Sequence, residues 1–163
     1  MKLFLLLSIS FLATTAIAQS RVVDAYNNHH FPCDSGTSSL EINLCTGEKA
    51  DFADSLLNKL YHKILKDLDK EIASYSGTVS PKGGNKLDSS DIKFAIEQRN
   101  LNTRIKQNLV KSQQQWLKTR SADCEVQRSM CEGGSGCIGE VNDLYLRETL
   151  SRISQLEEFS VSD

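Results

Sequence analysis

The chain has 163 residues, of which 39% are hydrophobic, and its 19 basic and 21 acidic side chains give a formal net charge of −2. A chain of this length suits one domain with a modest core. The charge excludes a typical nucleic-acid-binding protein, because such proteins cluster an excess of Lys and Arg on one surface.

The first residues have the composition of a secretory signal peptide, residues 1–18. Lys2 precedes an apolar block over residues 3–13, and the small residues Ala16 and Ala18 end the segment. This pattern predicts cleavage after Ala18 and export to the periplasm or the medium. No later stretch approaches the ~20 apolar residues that a membrane-spanning helix requires, so we expect no membrane span.

Five cysteines follow the predicted cleavage site: Cys33, Cys45, Cys124, Cys131 and Cys137. Disulfides are expected in an exported chain, because its compartment is oxidising. Two bonds leave one thiol, which is either free or joined to another molecule, so a monomer and a thiol-linked dimer both remain open. We predict the local pairs Cys33–Cys45 and Cys124–Cys137.

The first helices are predicted from a capping signal and from apolar spacing. Ser38-Ser-Leu-Glu41 has the capping-box pattern, which predicts a short N-terminal helix over about 39–45. A long helix is predicted after Thr46-Gly47, because apolar residues recur there every three or four positions. Those positions are Ala53, Leu56, Leu57, Leu60, Tyr61, Ile64, Leu65, Leu68 and Ile72.

Two further long helices are predicted beyond a Gly- and Ser-rich loop over residues 74–90, which contains Pro81. Asp88 or Ser89 is the predicted cap of the second long helix. Its buried stripe is Phe94, Leu101, Ile105, Leu109, Ser112, Trp116 and Arg120. Four glycines in the segment 131–139 separate it from the third. The stripe of the third is Ile138, Val141, Tyr145, Thr149, Arg152, Ile153, Leu156 and Phe159.

Segments that alternate with the period of a β-strand are nearly absent. The sequence therefore predicts an all-α fold, a disulfide-stapled antiparallel three-helix bundle or hairpin over residues 33–159, with the short helix at its start. An irregular segment, residues 19–32, precedes it. In this arrangement the start of the first long helix, the end of the second and the start of the third meet at one pole, which gathers all five cysteines.

Several short motifs stand in a fixed order along the chain. They are Ala53-Asp54, Leu57-Asn58 and Tyr61 (AD..LN..Y), Gln113, Trp116, Arg120 and Cys124 (Q..W...R...C), Gly133-Gly134-Ser135 (GGS), and Thr149, Arg152 and Leu156 (T..R...L). In this order the chain resembles the LprI-like lysozyme inhibitor family. The resemblance implies an exported binding protein that acts on C-type lysozyme. The family's disulfide pattern is not carried over, since Cys131 and Cys137 stand in place of its last cysteine.

The polar residues of these motifs fall on or beside the apolar stripes. They are Asp54, Asn58, Tyr61, Trp116, Arg120 and Arg152. We predict a buried polar network that sets the register of the helices. Trp116 belongs to it, because positions 116, 120 and 124 are successive i+4 neighbours on one helical face. The alternative is that Arg120 or Arg152 reaches a ligand.

The predicted partner-binding site is the loop that contains Glu132, Gly133, Gly134, Ser135 and Gly136. Cysteines on either side would stiffen this loop, and its glycines let backbone groups approach a partner closely. Lysozyme uses two carboxylates in a cleft, so an inhibitor needs only to occlude that cleft. The acidic residues near the same pole suit the positive rim of such enzymes; they are Asp123, Glu125, Glu132, Glu140 and Asp143.

We expect no enzyme activity, because the histidines do not form a Ser/His/Asp or Cys/His constellation with other residues. No cofactor and no metal are expected either. His29, His30 and Cys33 are loosely spaced for a metal site, and the cysteine is expected to be oxidised. The alternative function is a non-inhibitory envelope or secreted adaptor that engages another protein.

Overall fold

The computed structural model describes residues 21–79, 88–132, 134 and 136–160. Four α-helices and one 3-10 turn make up this part of the chain, and no strand occurs in it. The elements are α1 (Arg21–Asn27), the 3-10 turn Pro32–Ser35, α2 (Ser39–Val79), α3 (Ser89–Met130) and α4 (Cys137–Ser160). The all-α prediction is confirmed. The predicted signal peptide lies outside the described residues.

The helices α2 and α3 form a long antiparallel hairpin. Arg120 pairs with Asp54 near one end of it, and Asn102 pairs with Glu71 toward the other. The shorter helix α4 returns parallel to α2, since Asn142 donates to the Asn43 carbonyl oxygen and Tyr145, further along α4, donates to Asp54, further along α2. Two regions result. The cysteine pole comprises residues 33–51, 121–132, 134 and 136–143, and the distal hairpin comprises residues 59–79 and 88–118.

The hydrophobic core lies where all three long helices meet. It contains Leu57, Leu60, Ile64, Leu109, Ile153 and Leu156. This cluster confirms the predicted stripe of the first long helix. Helix α4 ends beside the middle of the hairpin, where Phe159 lines a groove of about 570 Å³ with Ile64 and Leu109.

The predicted stripe of α3 is wrong at four of its seven positions, because Phe94, Leu101, Ile105 and Ser112 are exposed. The side chains that α3 buries are Ala95, Asn102, Leu109, Gln113, Arg120 and Cys124. Three of these six are polar, so a search for large apolar residues selects the neighbouring face. Ile138 and Phe159 of α4 were also predicted to be buried. Both are exposed, because they stand near the two ends of that helix.

Helix α2 is longer than predicted at both ends. The capping box is present, since Ser38 N donates to Glu41 Oε2 at 2.9 Å and Glu41 N donates to Ser38 Oγ at 3.2 Å. The helix then continues through Gly47 without a break. Helix α4 packs against α2 at this glycine, and the packing leaves little room for a side chain. A Cβ at Gly47 would lie 3.3 Å from Asn142 Nδ2. The helix also extends to Val79, six residues into the predicted loop.

The segment before α2 is not wholly irregular, because α1 and the 3-10 turn occupy part of it. Val22 N donates to Glu157 Oε1 of α4 at 2.6 Å, and the segment then passes along α2. His29 stacks on Phe52 with ring centroids 4.1 Å apart, and Phe31 is buried beside them. Among the described helices, none is long and apolar enough to cross a membrane.

The structure pairs Cys33 with Cys45 and Cys131 with Cys137. The predicted bond between Cys124 and Cys137 is therefore wrong, and Cys124 is a buried free thiol. The reason is geometric: Cys131 ends the helix and turns toward Cys137, with a Cα–Cα distance of 5.1 Å, whereas Cys124 lies two helical turns below. Burial raises the pKa of the Cys124 thiol, which keeps it protonated and unreactive.

Candidate partner-binding site

The loop between α3 and α4 is a short ring closed by the Cys131–Cys137 disulfide. Inside the ring, Gly134 N donates to the Cys131 carbonyl oxygen at 2.9 Å and Cys137 N donates to the Gly134 carbonyl oxygen at 3.2 Å. Glu132, Gly134 and Gly136 are exposed. The other two residues of the predicted site, Gly133 and Ser135, lie outside the described residues. A covalent ring with internal hydrogen bonds has little conformational freedom to lose when a partner binds.

The two described glycines of the ring differ in what surrounds them. A Cβ at Gly134 would lie 3.1 Å from the Cys131 carbonyl oxygen, so a side chain there disturbs the turn. A Cβ at Gly136 would meet no atom within 4 Å. Gly136 therefore tolerates a large side chain without internal overlap, and it is the better position at which to test the outer surface of the loop.

The ring stands on a close contact between α2 and α4. Gly139 is buried against Asn43, and a Cβ at this glycine would overlap the asparagine side chain. On the other side, Gln127 of α3 donates to Glu140 of α4 at 2.9 Å. Because these contacts join the helix ends beneath the ring, its orientation relative to the bundle is fixed.

The surface around the ring is strongly acidic. All five predicted acidic residues are exposed, and four more belong to the same pole. The nine are Asp34, Glu41, Glu48, Asp51, Asp123, Glu125, Glu132, Glu140 and Asp143. The basic residues of this pole are Lys49, which pairs with Asp34, and Arg128, which pairs with Glu125. The cysteine pole therefore has a formal net charge of −7, which favours a positively charged partner.

Beneath this surface, Arg120 is the centre of a buried polar network. Its Nη1 atom donates to Asp54 Oδ1 at 2.8 Å and to Thr149 Oγ1 at 2.7 Å. The guanidinium carbon lies 4.4 Å from the ring centroid of Trp116 and 3.8 Å from that of Tyr145. The Tyr145 hydroxyl also donates to Asp54 Oδ1, at 3.0 Å. Hydrogen bonds and aromatic faces together replace the water that this charge loses.

The burial of Tyr145 changes its acidity. Desolvation is the largest cause, the neighbouring Asp54 carboxylate adds to it and Arg120 opposes it, and together they raise the pKa of Tyr145 to about 12. The phenol is therefore a hydrogen-bond donor at all ordinary pH values.

Arg152 forms a second layer of the network, one turn further from the pole. It donates from Nε to Gln113 Oε1 at 3.0 Å and from Nη2 to Ser112 Oγ at 3.0 Å. Burial lowers the pKa of Arg152. Its guanidinium also lies 5.9 Å from the Trp116 ring centroid, so the single tryptophan of the chain packs between the two layers.

The structure brings three of the six predicted network residues into one cluster, namely Asp54, Trp116 and Arg120. Arg152 lies in the adjoining layer, Asn58 is exposed and donates to Asp54, and Tyr61 packs against the core. Sequence reasoning did not assign network roles to Tyr145, Thr149 and Gln113, although each stood in a stripe or a motif. Both arginines are 6% exposed, which supports a role in helix register rather than ligand contact.

The described residues contain no group of three or more His, Cys, Asp or Glu side chains placed to hold a metal ion. Cys33, which the sequence sets near His29 and His30, has its sulfur in a disulfide. A thiolate is the form of cysteine that binds metals, so this sulfur is not available as a ligand.

The described residues form a helical hairpin, an acidic loop closed by a disulfide, and a buried arginine network. A comparison with protein-family profiles matches residues 33–156 to the family described as lysozyme inhibitor LprI. The chain belongs to the LprI family. The matched range contains both disulfides, the closed loop and every residue of the network. Comparisons of this LprI-family chain with curated proteins and with solved structures find no significant match.

Proposed function

We propose that this chain is an exported protein that inhibits C-type lysozyme by occluding the cleft of the enzyme with the ring Cys131–Cys137. Membership of the LprI family, which is described as lysozyme inhibitor, supports the inhibitory function. The observation that supports the mechanism is the disulfide that closes the ring at an exposed and acidic pole. Lysozyme hydrolyses peptidoglycan with two carboxylates that flank the scissile bond in a cleft, so a protein that fills the cleft excludes the substrate.

The rigidity of the ring favours tight binding. A flexible loop loses backbone and side-chain freedom when it enters a cleft, and this loss reduces affinity. The disulfide and the hydrogen bonds among Cys131, Gly134 and Cys137 reduce that freedom before binding. Its glycines add no side chain that would keep the backbone from the walls of a narrow cleft.

The charge of the cysteine pole supports a basic enzyme as the partner. C-type lysozymes present a positive rim around the cleft, and the pole offers nine acidic residues against two basic ones. Opposite charges raise the rate of encounter and disfavour acidic partners.

The direct test is the clearing of a bacterial cell-wall suspension by purified C-type lysozyme, with and without the protein. We expect wild-type protein to slow clearing in a dose-dependent manner, and Gly136→Trp to abolish this effect because the new side chain blocks insertion of the ring. Gly77→Trp is the matched control. A Cβ at Gly77 also meets no atom within 4 Å, but Gly77 lies in the distal hairpin, away from the ring. If Gly136→Trp inhibits as wild type does, the ring does not enter the cleft.

The alternative function is a non-inhibitory adaptor of the envelope or of secreted proteins. The observation in its favour is the distal hairpin, where α3 exposes Phe94, Leu101 and Ile105. The same clearing assay separates the two functions, because an adaptor leaves the rate of clearing unchanged even at a high molar excess over lysozyme.

A further inference from the structure

Large apolar side chains are exposed on every helix end that surrounds the ring. On α3, Met130 immediately precedes the disulfide and is 78% exposed, and Ile138 immediately follows it on α4 and is 67% exposed. On α2, Leu40 is 69% exposed and Leu44, one turn later, is also exposed. Val126, one turn before Met130, is exposed as well. Single exposed apolar residues need no explanation, but these five stand on three neighbouring helix ends and can contact one partner together.

These side chains are held in place by the same devices that hold the ring. The start of α2 is fixed by the Cys33–Cys45 disulfide and by the capping box of Ser38 and Glu41. The Asn142–Asn43 hydrogen bond ties α2 to the start of α4. The apolar residues therefore belong to one rigid end of the bundle.

The combination of apolar side chains with surrounding acidic ones has the composition of a protein interface. Specific interfaces have an apolar centre and a polar rim. Here the ring and its apolar neighbours form the centre, and Glu41, Glu48, Asp123, Glu132 and Asp143 supply the negative charge. A second copy of this chain is a poor occupant, because two poles of charge −7 would repel each other.

We propose that Leu40, Leu44, Val126, Met130 and Ile138 form an apolar docking face around the ring, and that its partner is a basic protein with apolar side chains beside its positive surface. The docking face rests on the proposed function in one respect, which is that lysozyme is taken as the partner. The ring alone is a small contact, whereas a stable protein complex buries about 800 Å² on each partner. The docking face supplies the additional area.

The test compares two double variants in a titration calorimeter against C-type lysozyme. Leu40→Ser with Met130→Ser removes an apolar side chain from α2 and another from α3, and we expect binding to weaken about tenfold or more. Phe94→Ser with Phe159→Ser is the matched control, because both are apolar side chains outside the pole and are more than half exposed, at 56% and 62%. The control should bind within about twofold of wild type. All four residues are largely exposed, so thermal unfolding should verify that both variants fold.

Cytochrome c serves as a second basic protein that has no peptidoglycan cleft, and the outcomes then separate the two proposals. If the pole variant binds lysozyme as tightly as wild type while wild type inhibits, the docking face is wrong and the proposed function stands. If wild type binds lysozyme or cytochrome c more tightly than the pole variant, yet clearing proceeds normally, the docking face stands and the proposed function is wrong. Absence of binding to both proteins at low salt overturns the docking face.

Discussion

Arg120 carries a positive charge into the middle of the bundle. Such a charge is tolerated only where hydrogen bonds and an opposite charge compensate for lost water. Asp54 supplies the charge from α2, Thr149 supplies an acceptor from α4, and Trp116 and Tyr145 cover the two sides. Since these groups come from three helices, we propose that the network fixes the register of all three at once.

Replacement of Arg120 with alanine should destabilise the fold strongly. The change leaves Asp54 without its cation and opens a cavity between two aromatic rings, and loss of one partner of a buried pair costs about 3 kcal/mol or more. Urea unfolding measures this difference. Arg128→Ala is the control, because its pair with Glu125 is exposed and should contribute less than about 1 kcal/mol. Equal effects of the two changes would show that the Arg120 network is not stabilising.

Tyr145 gives a pH-dependent prediction with a defined sign. Its pKa is raised to about 12 in the folded chain, above the ordinary value of about 10, so the folded state favours the protonated phenol. The stability from this group is complete below pH 10 and is lost as the pH rises toward 12. Thermal unfolding across this range should show a steeper fall for wild type than for Tyr145→Phe. Parallel curves would contradict the shift.

For single residues, the sequence predicted which types of side chain form the network, but it did not predict which of them contact each other. Asp54 and Arg120 stood out because charged residues interrupted apolar stripes. Tyr145 and Gln113 did not, since a tyrosine on an apolar face and a glutamine on a polar helix are both ordinary. Which side chains meet depends on the rotation of each helix about its axis, and helical periodicity in one sequence does not determine that rotation relative to a neighbour.

Among the structural elements, the two disulfides act on different parts of the fold. Cys33–Cys45 ties the N-terminal segment to α2 across a sequence separation of 12, and Cys131–Cys137 closes a loop across a separation of 6. Chain entropy assigns about 3 kcal/mol to the first and about 2 kcal/mol to the second. The difference is small, so their separate roles should appear in binding more clearly than in stability.

Removal of the two bonds should therefore give different results. Cys131→Ser with Cys137→Ser should lower the unfolding free energy by about 2 kcal/mol and also weaken inhibition of lysozyme strongly, because the ring opens. Cys33→Ser with Cys45→Ser should lower stability at least as much while leaving more of the inhibition. Urea unfolding and the clearing assay, performed on both variants, measure the two effects. Full inhibition by the opened ring would contradict the preorganised mechanism.

Helix existence was predictable because α2 and α4 bury apolar stripes with regular spacing. Three features of these elements could not be predicted from the sequence. Helix α2 crosses Gly47 because packing against Asn142 outweighs the weak helical preference of glycine. Helix α3 buries mostly small and polar residues, so apolar spacing selected the wrong face. The pairing of Cys131 with Cys137 depends on where α3 ends, and helix ends are the least certain part of any sequence-based prediction.

Over the whole molecule, charge is separated between the two ends. The cysteine pole has a net charge of −7, whereas the distal hairpin has ten basic and six acidic residues and a net charge of +4. A basic partner is attracted to one end and repelled from the other. If the partner is basic, as proposed, the field of the molecule would orient the ring toward it before contact.

Association with lysozyme should consequently depend on salt. We expect the association rate constant to fall roughly tenfold or more as the salt concentration rises from about 0.05 to about 0.5 M, because the screening length drops well below the size of the pole. Stopped-flow fluorescence measures this rate. Glu132→Lys should reduce the salt dependence, and Glu97→Lys, an equal change of charge in the distal hairpin, should not. A rate that does not depend on salt would exclude electrostatic steering.

Occlusion of the cleft by the ring is tested most directly by competition with a chito-oligosaccharide that binds in the lysozyme cleft. The affinity of the protein for lysozyme would be measured at increasing oligosaccharide concentrations. If the ring fills the cleft, the apparent dissociation constant rises in proportion to oligosaccharide occupancy, and no ternary complex forms. If lysozyme binds both at once with unchanged affinity, the protein acts from outside the cleft and the occlusion mechanism is wrong.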